Sequence, residues 1–229
     1  MNPDMAPIYD TSVASELLTG TRLARTAIGR GELAVIPTDT VYGVAADAFQ
    51  PDAVARLLKA KGRGRQSPPP VLIPGIPTLD ALAETVPDEV RALVAAFWPG
   101  GLTIILPARA SLAWDLGETR GTVALRMPSH PIALEILSET GPLAVSSANL
   151  TGEPAAMTAT EAEAMLGESV AVYLEAGPSG TSYKTGPGTG STIVDATGLL
   201  LPEGKLRIVR NGVISDEAII EVIGQERTE

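Results

Sequence analysis

An α/β fold in one domain is what the sequence predicts, on three observations. Short apolar runs alternate with stretches of helical periodicity, proline or glycine punctuates most junctions, and no repeat, heptad or shift in composition divides residues 1–229. Residues 33–36 form an apolar run stopped by Pro37, the pattern of a buried strand. Pro51 then stands where a first helical residue is favoured, and Val54, Leu57, Leu58 and Lys61 mark one helical face. Residues 71–73 read as a second strand, halted by Pro74-Gly75. Pro87 opens a stronger helix with Val90, Leu93, Val94 and Phe97 on one stripe. That helix stops at Pro99-Gly100-Gly101, and residues 102–106 follow as a strand. Residues 122–126 and 143–146 are further strands bracketing a helix begun by Pro131. A short helix over 161–166 precedes strands at 171–174, 191–195 and 206–210, and Ser215-Asp216-Glu217 caps a final helix.

Composition removes whole classes of function. No apolar run approaches the roughly 18–20 residues of a membrane span. Met1-Asn2-Pro3-Asp4 lacks the basic stretch and apolar core of a signal peptide, so a cytoplasmic location is expected. The absence of cysteine excludes disulfides, thiolate zinc sites, iron–sulfur clusters and a cysteine nucleophile. His130, the single histidine, excludes multi-histidine metal sites and most catalytic triads. Seventeen Lys+Arg against 27 Asp+Glu leave a net charge of −10, which disfavours loose binding to nucleic acid or an anionic membrane. Against that background Lys59, Lys61, Arg63 and Arg65 cluster, as a solvated helix end or as an anion site.

Residues 177–190 hold five glycines and two prolines, a length and composition that mark a functional or mobile loop. A P-loop reading fails, because Gly186-Pro187-Gly188-Thr189-Gly190-Ser191-Thr192 has no lysine before its hydroxyls. What remains is a recurring placement. Thr38-Asp39-Thr40, Ser146-Ser147-Ala148-Asn149 and Ser191-Thr192 each stand at the end of an apolar strand, where α/β sheets bind ligands. Neutral hydroxyls and amides there, with a cationic cluster nearby, suggest an anion-binding crevice.

Seven segments, in order, resemble the YrdC-like threonylcarbamoyl-AMP synthase family in its single-domain form. They are Pro37-Thr38-Asp39-Thr40-Val41-Tyr42-Gly43, Lys61-Gly62-Arg63, Phe97-Trp98-Pro99-Gly100, Val123-Ala124-Leu125-Arg126-Met127-Pro128-Ser129-His130-Pro131, Ser147-Ala148-Asn149-Leu150-Thr151-Gly152, Ser191-Thr192-Ile193-Val194-Asp195 and Arg210-Asn211-Gly212. The resemblance covers about residues 21–223. It implies a twisted mixed sheet with flanking helices enclosing a concave cavity. It also implies a reaction: L-threonine, bicarbonate or CO2, and ATP, with Mg2+, give threonylcarbamoyl-adenylate and pyrophosphate. A separate transferase then carries the threonylcarbamoyl group to adenosine 37 of tRNA, and the acidic charge suits a chain with weak or no direct tRNA contact.

By the same resemblance, Lys61, Arg63 and Thr38 are the expected catalytic residues. Thr40, Tyr42 and Arg126 join them around threonine and bicarbonate, and Ser147, Asn149, Ser191, Thr192 and Arg210 hold the nucleotide. Asp39 and Asp195 either orient Mg2+ or hydroxyls, or cap the following segment. The 177–190 loop is expected to close over ATP. Trp98 and Trp114 are expected in the core or at the rim, and His130 in a structural role. One departure stands out. Relatives read Lys-x-Arg-Pro and then Pro-Leu-x-Val-His, whereas Gly64-Arg65-Gln66-Ser67 intervenes here and Pro74 occupies the histidine position. Either Arg63 or Arg65 therefore fills the family arginine. The rival readings are a non-catalytic RNA- or nucleotide-binding module of this fold and a carbamoyl-phosphate enzyme, the latter normally a longer, cysteine-bearing chain.

Overall fold

The computed structural model describes residues 6–183 and 188–229; residues 1–5, with the Met1-Asn2-Pro3-Asp4 start, and residues 184–187 of the glycine-rich loop lie outside the described residues. The chain lays down β1 (Ile8–Asp10), α1 (Ala14–Gly29), β2 (Ala34–Ile36), β3 (Gly43–Asp47), α2 (Pro51–Ala60), β4 (Val71–Leu72) and α3 (Ile76–Leu82). It continues through α4 (Asp88–Phe97), β5 (Leu102–Pro107), β6 (Thr122–Arg126), α5 (Pro131–Thr140) and β7 (Leu143–Ser147). Then come α6 (Ala159–Leu166), β8 (Val172–Glu175), β9 (Thr192–Asp195), β10 (Arg207–Arg210) and α7 (Asp216–Ile223). Pro51 and Pro131 each sit in the first turn of a helix, and the Ser215 hydroxyl accepts from the Ala218 amide as an N-cap. Four elements were not anticipated: β1, α1, β3 and α3.

All ten strands join one mixed sheet, ordered β1-β8-β2-β3-β7-β4-β6-β5-β9-β10. Its two halves are covered differently. Period-two alternation sends Ala34 and Ile36 to one face of β2 and Val35 to the other, and both faces are packed. Helices α1 and α5 cover Ile36, Ala45 and Val145, whereas α2 and α6 cover Val35 and Val44 on the opposite side. In the other half, one face of β4, β5, β6 and β9 packs under α3, α4 and α7. There Leu93, Ile104, Leu125, Val194 and Ile219 are fully buried. The reverse face of those strands carries Leu72 opposite Arg126, and Thr103 opposite Ile193, which in turn faces Arg210. That bare stretch of sheet is the floor of a hollow.

Candidate functional site

A cavity of about 430 Å³ opens on this face. Around it stand Thr38, Thr40 and Tyr42 from the β2–β3 connection, Arg63 after α2, Arg126 at the end of β6, Ser147 at the end of β7, Ser191 before β9, and Arg210 at the end of β10. Eight of the expected site residues thus meet around one hollow, though their positions span 38 to 210 in the chain.

The β2–β3 turn is held from within. Thr38 Oγ1 donates to the Val41 carbonyl at 2.6 Å and accepts from the Thr40 amide at 3.2 Å. Arg126 reaches across the cavity floor to this turn. Its Nη1 donates to Thr40 Oγ1 at 3.0 Å, its Nη2 to Asp39 Oδ1 at 2.8 Å, and its Nε to the Gly100 carbonyl at 2.9 Å. Asp39 Oδ1 also accepts from the Ser129 amide at 3.0 Å, and Oδ2 accepts from the Tyr183 hydroxyl at 2.9 Å. Burial alone would raise the Asp39 carboxyl, but Arg126, the Ser129 amide and Tyr183 outweigh it and hold it below the ordinary carboxylate value. The Tyr183 phenol is pushed up to about 12 by burial and by the Asp39 charge.

On the facing wall Arg63 donates from Nε to Thr151 Oγ1 at 3.1 Å and from Nη1 to Ser146 Oγ at 3.2 Å. Arg210 donates from Nη2 to the Ser191 carbonyl at 2.6 Å and to Ser191 Oγ at 3.0 Å, and Ser191 Oγ lies 2.8 Å from Thr103 Oγ1. Burial, with the Arg126 and Arg63 charges, lowers the Arg210 pKa, the mark of three guanidinium groups held close together. No carboxylate lines the hollow among the described residues. Arg126 is countered by Asp39 behind the lining, whereas Arg63 and Arg210 pair with no carboxylate among the described residues, and such anchored cations form a site for anions.

Three expected residues are placed behind the wall instead. Lys61 is fully buried, and its ammonium donates to the Ser147 carbonyl, to the Asn149 carbonyl at 2.6 Å and to Asn149 Oδ1 at 3.2 Å. Three donors meet three acceptors, so in this geometry Lys61 fixes the end of β7 rather than facing a ligand. Burial and the Arg63 charge lower its pKa to about 8. Asn149 completes that knot, donating from Nδ2 to the Leu150 and Glu153 carbonyls. Thr192 Oγ1 donates to the Ile214 carbonyl at 2.6 Å and accepts from the Ile214 amide at 2.9 Å, tying β9 to the chain after β10. Direct ligand contact by Lys61, Asn149 and Thr192 is therefore not what the arrangement offers.

The remaining readings sort themselves by position. Arg65 pairs bidentately with Asp115 at 2.9 Å on the exposed surface, which leaves Arg63 as the arginine at the cavity. Pro68 and Pro70 line the hollow and Pro74 does not. Tyr42 forms the cavity base while its buried hydroxyl points away, 2.9 Å from Glu175 Oε1 and 2.8 Å from the Gly177 carbonyl; burial raises its pKa. Asp195 caps Thr197 through its amide and hydroxyl and pairs with Arg207, and is not among the residues lining the hollow. Trp98 is a core residue donating to the Leu102 carbonyl at 2.7 Å, and Trp114 stacks on Phe49 with centroids 5.5 Å apart. His130 precedes α5, its pKa lowered by burial. Of the glycine-rich loop, Thr189 and Gly190 line the cavity, residues 177–182 line a smaller one of about 220 Å³ with Asp39, and Tyr183 bonds Asp39 directly.

Sequence reasoning missed Thr103 and Tyr183 at the site, and gave Ser146 and Asn211 no individual role although both stand in the segments it singled out. Thr103 carried a signal, a lone hydroxyl inside an apolar strand. Among the described residues no group of three or more acidic or histidine side chains converges. Both oxygens of Asp39 are already engaged.

Known proteins resemble this chain in sequence and fold. The profile of the Sua5/YciO/YrdC family, described as telomere recombination, matches residues 26–212. A Mycobacterium tuberculosis protein provisionally named threonylcarbamoyl-AMP synthase is 48% identical over 220 residues, covering 96% of each chain. The threonylcarbamoyl-AMP synthase of Bacillus subtilis is 36% identical over 88% of this chain and 56% of its own. Among solved structures, Pyrococcus abyssi Sua5 complexed with L-threonine superposes with a TM-score of 0.84 at 30% identity, covering 98% of this chain and 63% of that one. With its motifs gathered around one cationic hollow and its sequence matched over most of its length, the chain belongs to the Sua5/YciO/YrdC family.

Proposed function

We propose that this chain is an L-threonylcarbamoyladenylate synthase, making threonylcarbamoyl-AMP and pyrophosphate from L-threonine, bicarbonate or CO2, and ATP. The observation that carries the reading is the convergence of Arg63, Arg126 and Arg210 on one hollow lined by strand-end hydroxyls.

The chemistry suits that lining. The threonine amine attacks the carbon of CO2 and releases a proton, giving a carbamate. A carbamate oxygen then attacks the α-phosphorus of ATP, the bond to the β-bridging oxygen breaks, and pyrophosphate leaves. No enzyme nucleophile takes part. The protein instead must bring anions together and stabilise charge gathering on the α-phosphate and pyrophosphate, which fixed guanidinium groups and hydroxyls do without reorganising. Arg126, with Thr38 and Thr40, is assigned to the threonine carboxylate and carbamate side; Arg63 bridges the two halves; Arg210, Ser191 and Ser147 take the phosphates. Lys61 and Asn149 hold the Ser147 end of β7 in place, and Thr192 does the same for β9. Mg2+ would enter with ATP as part of the substrate and would supply charge neutralisation on its phosphates.

The product is a mixed anhydride, so the reaction that consumes it is acyl transfer; the proposed acceptor is adenosine 37 of tRNA, reached through a separate transferase in the cytoplasm. No helix among the described residues is long and apolar enough to cross a membrane. The test is product mass spectrometry with ATP, threonine and labelled bicarbonate. Labelled threonylcarbamoyl-adenylate, with pyrophosphate release requiring both co-substrates, is the expected outcome; ligand binding without turnover would instead identify a binding module.

A further inference from the structure

We infer that Tyr183 is a positioning residue for this reaction: its hydroxyl docks the 177–183 segment onto Asp39 and thereby fixes Arg126 at the cavity floor. The inference rests on the proposed reaction for its kinetic consequence, and on geometry alone for the latch itself.

Two independent features build the contact. The first is the chain of bonds from Tyr183 Oη to Asp39 Oδ2 at 2.9 Å and from Asp39 Oδ1 to Arg126 Nη2 at 2.8 Å, both carboxylate oxygens being engaged. Rotation of the Asp39 carboxylate would break both bonds at once, so the phenol restrains the orientation in which Asp39 meets the guanidinium. The second is a seat shaped for this segment. A Cβ at Gly100 or at Gly101 would crowd the Tyr183 hydroxyl at 3.2 Å. Gly180, at φ +75°, brings its backbone so close to the β2–β3 turn that a Cβ there would lie 2.7 Å from the Thr40 carbonyl. Gly100 also accepts from Arg126 Nε through its carbonyl. Asp39, which the phenol holds, and Gly100, which borders the phenol, therefore fix two of the three guanidinium nitrogens of Arg126.

The consequence is directional. Arg126 serves the threonine side, so loss of the hydroxyl weakens threonine use more than ATP use. Tyr183→Phe keeps the ring that fills the glycine seat and removes only the bond to the charged Asp39. The expected result is a rise of about tenfold in the KM for threonine, the scale of a lost charge-assisted hydrogen bond, with the KM for ATP changed less than about twofold. Unchanged threonine kinetics, or an equal rise for both substrates, would overturn the inference. Hydrogen exchange of the substrate-free proteins judges the latch without reference to turnover. Faster exchange in Tyr183→Phe at both 177–183 and 126–130 supports it, and unaltered exchange at 126–130 sinks it. If the unmodified protein makes no adenylate, the proposed reaction fails and the exchange result still decides the latch.

Discussion

Anchoring an arginine leaves more of it available than anchoring a lysine does, and that difference divides the labour within Lys61-Gly62-Arg63. The three ammonium donors of Lys61 meet three acceptors behind the wall, whereas Arg63 has five N–H donors and is held through two nitrogens by Thr151 and Ser146. Arg63→Ala is accordingly expected to lower kcat/KM for pyrophosphate release by about ten- to a hundredfold, with a melting temperature within a few degrees of the parent. Arg65→Ala removes only an exposed pair with Asp115 and should leave both measurements unchanged. Steady-state kinetics and a thermal melt of the two variants decide this. The sequence shows that both cations stand at a helix end. Which one faces the ligand depends on acceptors 86 and 88 positions further on, and no local pattern encodes that.

At the scale of elements, the site depends on how strand ends are fastened. The chain after β10 turns back onto the start of β9, with the Val213 amide donating to the Gly190 carbonyl at 3.0 Å and the Gly188 amide to the Gly212 carbonyl at 3.1 Å. A Cβ at Gly212 would run into the backbone of Gly190, Ser191 and Thr192. Gly212→Ala should therefore cost about 1–3 kcal/mol and loosen the seat where Ser191 meets Arg210, weakening ATP binding as well. Urea denaturation and calorimetric titration of ATP would register both effects; full retention of both would mean that this return is not what holds the phosphate end together. Elements with a strong terminal signal were legible, as Pro51, Pro131 and Ser215 show. Helix α1 was not, because its buried stripe is Gly20, Thr21, Ala24, Ala27 and Ile28, mostly small side chains that give little periodic contrast. The short β3 was hidden likewise by Ala45 and Ala46. The strand-end hydroxyls at 38–40, 147 and 191 were readable because a polar residue ending an apolar run has few places to go.

Over the whole molecule, a net charge of −10 surrounds a hollow held by three guanidinium groups. Such a distribution admits a small polyanion and repels a large one. Filter binding at about 150 mM salt should detect no stable tRNA complex, because affinity for nucleic acid grows with the number of phosphates neutralised and falls steeply with salt. Retention of tRNA at that salt would mean that the acidic exterior does not govern the choice of ligand. Total charge was readable from composition, but concavity was not: which half of the sheet stays bare follows from where the helices pack. The ladder pairing that places Leu72 beside Arg126 and Ile193 beside Arg210 carries a last implication. Arg126 is mounted on the regular ladder, so slipping β6 by one residue would turn its guanidinium to the opposite side, whereas Arg210 follows a register shift in β10 that re-aims its side chain toward the hollow. Substrate preference in such a chain is expected to drift more readily through the rim and the irregular end of β10 than through Arg126, whose side the ladder sets.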